Sequence, residues 1–328
     1  MVARVKDILL NMEMGAAVSH KNLWMVPLYG GATSELEYFS LDEAIDLGLL
    51  EITEVSEGGE VPNLKVNNRG EKPILILAGE ELVGAKQNRL VNATFMMAGL
   101  TSMVMPVSCV EQGRWQHRQK EFQSEKRMSS PQLRYKVHRD VHHAVRTGRG
   151  FVADQGEVWN DISAKMARLG VTSPTMAMAD MYESYENQLR RYTESFRQAE
   201  GQQGLIMAIN GQVAGLELFD STASLSKYFE KLLESYSLDA IDLKGRMQPT
   251  TDLEARARIW IAELMDVSVQ IRPSLGLGYD IRFESERTTG SGLLYENSVL
   301  YLSVLALTEA GEQRKGSAFL RYGMRRRL

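Results

Sequence analysis

At 328 residues, with 44% hydrophobic and 24% charged side chains, the chain can bury a sizeable core, and wholesale disorder is excluded. The formal net charge of −4 is unevenly spread: residues 112–150 hold ten Lys/Arg against three Asp/Glu, a local +7, which leaves −11 elsewhere. The single cysteine, Cys109, excludes an intrachain disulfide and cysteine-rich zinc sites.

Met1 to Leu10 carries Arg4, Lys6 and Asp7 and does not read as a signal peptide. No run reaches the roughly 18 apolar residues that span a bilayer, so a cytoplasmic protein without a membrane partner is expected. Leu23 to Tyr29 reads as a strand closed by Gly30-Gly31. Ser40 with Glu43 forms a capping box for a short helix that Gly48 would stop. Strands follow at Glu51 to Val55, Leu64 to Val66, Ile74 to Leu77, Leu90 to Phe95 and Met103 to Val107.

Gln116 to Ser130 is hydrophilic, and Tyr135 to Arg146 is a basic, helix-compatible stretch. Glu157 to Leu169 repeats apolar residues at helical spacing and ends before Gly170; Ala179 to Ala199 reads as a longer polar-faced helix. Leu205 to Ile209 and Gln212 to Phe219 flank Asn210-Gly211, the dipeptide suited to a type I′ hairpin turn. Asp220 or Ser221 can cap a helix with the stripe Leu225, Tyr228, Phe229, Leu232 and Leu233, and a further helix covers roughly Leu253 to Met265. Val267 to Ile271, Tyr279 to Phe283 and Val299 to Leu305 read as closing strands.

Strands cluster first and helices later, without βαβ alternation. This predicts an α+β fold: a mixed, β-sheet-rich N-terminal part and a helical, hairpin-containing C-terminal part. The expected organisation is a single domain over 1–310, open to a division into two lobes at 150, with a basic tail at 311–328.

Neither a P-loop nor a dinucleotide-binding glycine fingerprint is present. The densest chemistry lies in Gly79-Glu80-Glu81 through Lys86-Gln87-Asn88-Arg89, and in Ser108-Cys109-Val110-Glu111 with Gly113-Arg114-Trp115. Both read as loops fed by buried strands, where binding and catalytic groups collect. One of Glu80 and Glu81 should face inward, since consecutive strand residues point to opposite sides. Glu80, Glu81 and Glu111 are candidate general acid/base groups or, together, ligands for a hard cation such as Mg²⁺. Equally open is a salt-bridge network in which Arg89 and Arg114 pair with those glutamates. Gln87, Asn88, Arg89 and Arg114 suit phosphate or sugar hydroxyls, and Trp115 is either a stacking platform or a packing anchor. Cys109 is read as a buried thiol, with a nucleophilic role requiring a base beside it. His138 and His142 have a metal-compatible i, i+4 spacing, but an exposed basic helix, His143 included, is the expected setting.

These two motifs resemble the ARG- and rhodanese-phosphatase-superfamily-associated protein family, a former domain of unknown function, and the resemblance extends to about Thr308. The resemblance implies a link to ADP-ribose or NAD metabolism, and matches the family at Glu80, Glu81, Gln87, Asn88, Arg89, Cys109, Glu111, Arg114 and Trp115. Two functions follow as expectations. One is binding or processing of a phosphate-bearing, ADP-ribose- or NAD-like nucleotide, by hydrolysis if the chain is an enzyme. The other is a non-enzymatic binding or assembly module whose Glu/Arg cluster is structural. Nucleic acid is not expected as a partner, and the oligomeric state is left open.

Overall fold

The computed structural model describes residues 1–31, 34–56, 58–116, 121–244 and 252–307; the tail at 311–328 and part of the hydrophilic stretch lie outside them. Helix α1 (Val2–Asn11), which the sequence reading lacks, buries Val5 and Leu9. Strands β1 (Glu13–Met14) and β2 (Val18–His20) both pair with the expected β3 (Leu23–Tyr29). β4 (Phe39–Ser40) runs into α2 (Leu41–Asp46), which starts on the predicted capping box: the Ser40 hydroxyl accepts from the Glu43 amide, and the Glu43 carboxylate from the Ser40 amide. Next come β5 (Leu50–Glu54), β6 (Asn63–Asn68), β7 (Ile74–Ile76), β8 (Glu80–Gly84), β9 (Arg89–Val91), β10 (Phe95–Met97), β11 (Thr101–Cys109) and β12 (Phe122–Met128).

Helices α3 (Pro131–Arg146), α4 (Gln155–Leu169) and α5 (Ala179–Thr193) follow; the Asp154 carboxylate caps α4 and left-handed Gly170 ends it. The hairpin of β13 (Gly204–Ile209) and β14 (Gln212–Phe219) turns at Asn210 and Gly211, both at positive φ as a type I′ turn requires. Ser221 caps α6 (Thr222–Asp242) and Asp252 caps α7 (Leu253–Leu264). β15 (Val269–Pro273), β16 (Tyr279–Glu284), β17 (Thr288–Tyr295) and β18 (Ser298–Ala306) close the described chain. β17 is missing from the sequence-based expectation because Gly290 and Gly292 dilute its strand propensity. No helix of the described residues is long and apolar enough to cross a membrane.

The fold is α+β, with seven helices among the described residues. The largest sheet runs β1-β3-β13-β14-β18-β17-β16-β15, with β2 also on β3, so it draws strands from both sides of residue 150. A small sheet, β10-β7-β4, contains the parallel pair β4/β7. The third, β12-β8-β9-β11-β6-β5, curls into a half-barrel until Thr53 of β5 bridges Glu121 beside β12. Its interior is filled by Leu64, Val66, Leu82, Val91, Met105 and Phe122. One face of the large sheet packs on α1 and α7 through Val26, Leu28, Ile206, Leu216 and Ile261. Helix α6 touches β12 on one side and β13 and β14 on the other, which joins half-barrel to large sheet.

Gly79, between β7 and β8, sits at φ +96°, and a Cβ there would lie 2.5 Å from Cδ of the buried Arg134. Gly79→Ala is therefore expected to cost at least about 1–3 kcal/mol through left-handed strain alone. The check is a lower urea midpoint at unchanged slope.

Candidate functional site

The first motif is a strand where the sequence reading had a loop. β8 lies between β9 and β12, with Glu81 opposite Leu90, Leu82 opposite Arg89 and Gly84 opposite Phe122. Pairing on both sides satisfies its backbone and outweighs the low strand propensity of two consecutive glutamates. The expectation that one glutamate faces inward is also corrected: both are fully buried, because β8 has protein on both faces. After Gly84 the chain turns at Ala85, a non-glycine residue at φ +35°.

Glu80 points to α6. Its Oε1 accepts from Lys231 Nζ at 2.7 Å and its Oε2 from the Leu77 amide at 2.7 Å. Lys231 also pairs with Asp42 of α2, which accepts from the Ser124 hydroxyl at 2.5 Å. Burial, together with Asp42, raises the Glu80 pKa against the pull of Lys231. The same two carboxylates raise the pKa of Lys231, although burial acts the other way. The triad ties α2 and α6 to β8.

Glu111 and Arg114 form the second centre. Glu111 Oε1 accepts from Arg114 Nε at 2.9 Å and from the Thr175 hydroxyl at 2.8 Å; Oε2 accepts from Arg114 Nη2 at 2.6 Å and from the Asn88 amide at 3.1 Å. Burial would raise the Glu111 pKa, but these bonds outweigh it and hold the carboxyl below its usual range. Arg114 further donates to the carbonyls of Ala85 at 2.6 Å, Gln116 at 2.8 Å and Gly84 at 3.2 Å, and to the Asn88 side-chain oxygen at 3.1 Å. One guanidinium thus holds the strained 84–88 turn in place. The salt-bridge expectation holds for this pair.

Arg89 has a different partner from those expected. It is fully buried, donates from Nη1 to Gln87 Oε1 at 2.9 Å, and pairs at 3.7 Å with Glu54 at the end of β5. Its Nε and Nη2 and both Glu54 carboxylate oxygens have no hydrogen-bond partner. Burial lowers the Arg89 pKa, opposed by Cys109 and Glu54. The Cys109 thiol, also fully buried, donates to Gln87 Oε1 at 3.1 Å, and burial raises its pKa, which favours the protonated thiol. Trp115, 46% exposed, is not a packing anchor: Lys86 Nζ lies 5.4 Å and the Arg89 guanidinium 5.7 Å from its ring centre.

Glu81 belongs to neither network. Its two oxygens have no hydrogen-bond partner, and its pKa is pushed up to about 8, chiefly by burial, with Arg127 opposing and Glu111, Glu125 and Glu183 adding repulsion. The three motif carboxylates therefore take three separate roles. Among the described residues no group of three or more His, Cys, Asp or Glu is arranged to hold a metal ion, so Glu80, Glu81 and Glu111 do not converge as the single cation-binding cluster that was one of the alternatives left open by the sequence.

The basic helix is corrected as well. α3 lies over β16, β17 and β18, and its Arg134, His138 and His142 face down onto the sheet; only His143 of the three histidines is exposed. Arg134 donates to Glu217 at 2.7 Å, and Glu217 also accepts from the hydroxyls of Tyr236 at 2.8 Å and Tyr301 at 2.6 Å. Burial and the charges of Arg282 and Arg134 hold the His138 pKa well below the usual imidazole value.

Sequence reasoning missed Glu54, Asp42, Arg134, Glu217 and Lys231. Two carry a readable signal: Lys231 falls within the apolar stripe of α6, and Glu217 interrupts the strand run Leu216 to Phe219, so each needs a buried partner. A cavity of about 280 Å³ is lined by Gln212, Trp260, Glu263, Arg287 and others, and no motif residue contributes to it.

A family model described as the ARG and Rhodanese-Phosphatase-superfamily-associated Protein domain matches residues 11–305. No curated protein and no solved structure matches the chain.

Proposed function

This chain belongs to the ARG and Rhodanese-Phosphatase-superfamily-associated Protein family, and from that premise we propose that it binds a phosphate-bearing nucleotide of the ADP-ribose or NAD type, with Trp115 as the stacking face. The supporting observation is a half-exposed indole set over two cations, Lys86 and Arg89. A nucleobase or ribose packs on such a ring, and the cations offset phosphate charge. Arg89 is held by Glu54, and Lys86 donates to the Gly58 carbonyl at 2.5 Å, so both cations are anchored beneath the ring.

Glu111, Arg114 and Asn88 serve this reading as a frame that fixes the turn presenting Lys86 and Trp115. Glu80 is likewise committed to Lys231. Any hydrolytic step would rest on Glu81, the motif carboxyl without a hydrogen-bond partner. Isothermal titration with ADP-ribose, NAD and AMP, with and without Mg²⁺, tests the reading. Binding is expected, and Trp115→Ala should weaken it roughly 5–150-fold, the range of one base stack. Absence of heat with all three nucleotides, or equal affinity in the variant, overturns it.

A further inference from the structure

We propose that the underside of α3 carries a separate site for a small oxyanion, held on the guanidinium fork of Arg282. The large sheet presents a row of directly opposed polar residues there: Glu217 of β14, Ser303 of β18, Ser291 of β17 and Arg282 of β16. The Glu217 end of the row is saturated by Arg134, Tyr236 and Tyr301. The Arg282 end is not.

Arg282 is 3% exposed; its Nε donates to Asp280 Oδ2 at 2.8 Å, whereas Nη1 and Nη2 have no partner. The fully buried Thr289 hydroxyl, on the neighbouring strand, also lacks one. Buried guanidinium N–H groups are nearly always paired, and two parallel ones match a carboxylate or a phosphate edge. The Phe151 ring stacks 5.3 Å from the guanidinium carbon, so it covers the face of the fork and leaves its edge. Ser291, the residue opposite Arg282 on β17, brings its hydroxyl to 3.3 Å from the His138 ring.

The charges favour an anion. Arg282, Arg146 and Arg272 act on His142 with Glu284 opposing them, and Arg282 and Arg272 also act on Asp280. Arg139 and Arg146 come from the basic segment 112–150. Asp280 is the nearest opposing charge, and it occupies the Nε edge rather than the fork.

The test is thermal unfolding of the full chain at constant ionic strength, with chloride replaced by phosphate or by acetate. A rise of roughly 2–4 °C is expected once the better anion reaches about ten times its dissociation constant. Phosphate alone acting would identify a phosphoryl ligand; acetate alone, a carboxylate. Arg282→Lys keeps the charge but loses the fork and should abolish the response, and Ser291→Ala should reduce it even if the lysine variant does not fold. Trp115→Ala should retain the full response, so this site and the nucleotide surface fail separately. No response in the wild type, an unchanged response in both Arg282→Lys and Ser291→Ala, or loss in Trp115→Ala alone overturns the assignment.

Discussion

Glu81→Gln is expected to make this domain more stable at pH 7, by about 3 kcal/mol, and to flatten its pH profile between pH 5 and 8. Burial pushes the wild-type carboxyl up to about 8 in the folded state, from its ordinary value of 4.5. Below pH 4.5 it is protonated in both states and costs nothing. As pH rises from there, the unfolded chain releases the proton while the folded chain keeps it, so the folded state binds more protons and stability falls with pH. Above pH 8 the loss is complete. Glutamine has the same shape and never ionises, so it avoids this cost. Urea unfolding of both proteins at pH 5, 6, 7 and 8 reads the effect directly. If the variant is less stable at pH 7, or if the two profiles run parallel, Glu81 has a stabilising partner when ionised. A stabilising change that also removed an activity would mark a functional acid retained at the expense of the fold.

The opposite sign is expected at Arg114. Arg114→Met should destabilise by about 3–5 kcal/mol, because the buried Glu111 carboxylate loses the guanidinium that donates to both of its oxygens. The carbonyls of Gly84, Ala85 and Gln116 lose donors at the same time. Replacing both partners, Glu111→Leu with Arg114→Met, should recover much of the loss, since the buried carboxylate is removed together with its cation. Denaturant midpoints of the two single variants and the double variant close this cycle. A cost under about 1 kcal/mol for Arg114→Met would place the pair among weakly contributing surface bridges. It would also remove the case for a rigid frame beneath Trp115.

Local chemistry was readable from sequence where one or two neighbours decide the outcome. Ser40 with Glu43, Asn210-Gly211 and Gly170 each fix a boundary through side-chain or backbone bonds within a few residues. Glu111 with Arg114, three positions apart, belongs to the same class. β8 was not readable, because what makes Glu80-Glu81 a strand is pairing with β9 and with β12, and the lysine that accommodates Glu80 comes 151 positions later. Arg89 found Glu54 rather than a motif glutamate because the half-barrel curls β5 around to it. The burial of Arg134, His138 and His142 follows from α3 docking on β16 to β18, strands more than a hundred positions away that no periodicity within α3 announces.

The large sheet also sets a timetable for the nascent chain. Strand β3 pairs with β13, with Val26 opposite Ile206, so 206 − 26 = 180 residues separate partners that must meet. At about 5–20 residues per second, an emerging β3 waits roughly 10–40 s for its neighbour to be synthesised. During that interval Leu23, Met25, Val26 and Leu28, all buried in the finished fold, have only the short β1 and β2 to pair with. The half-barrel, whose strands all lie before residue 129, can close first. Synthesis therefore favours a folded middle with an apolar strand at its amino end whose β13-facing edge is still open, the kind of segment on which chaperones act.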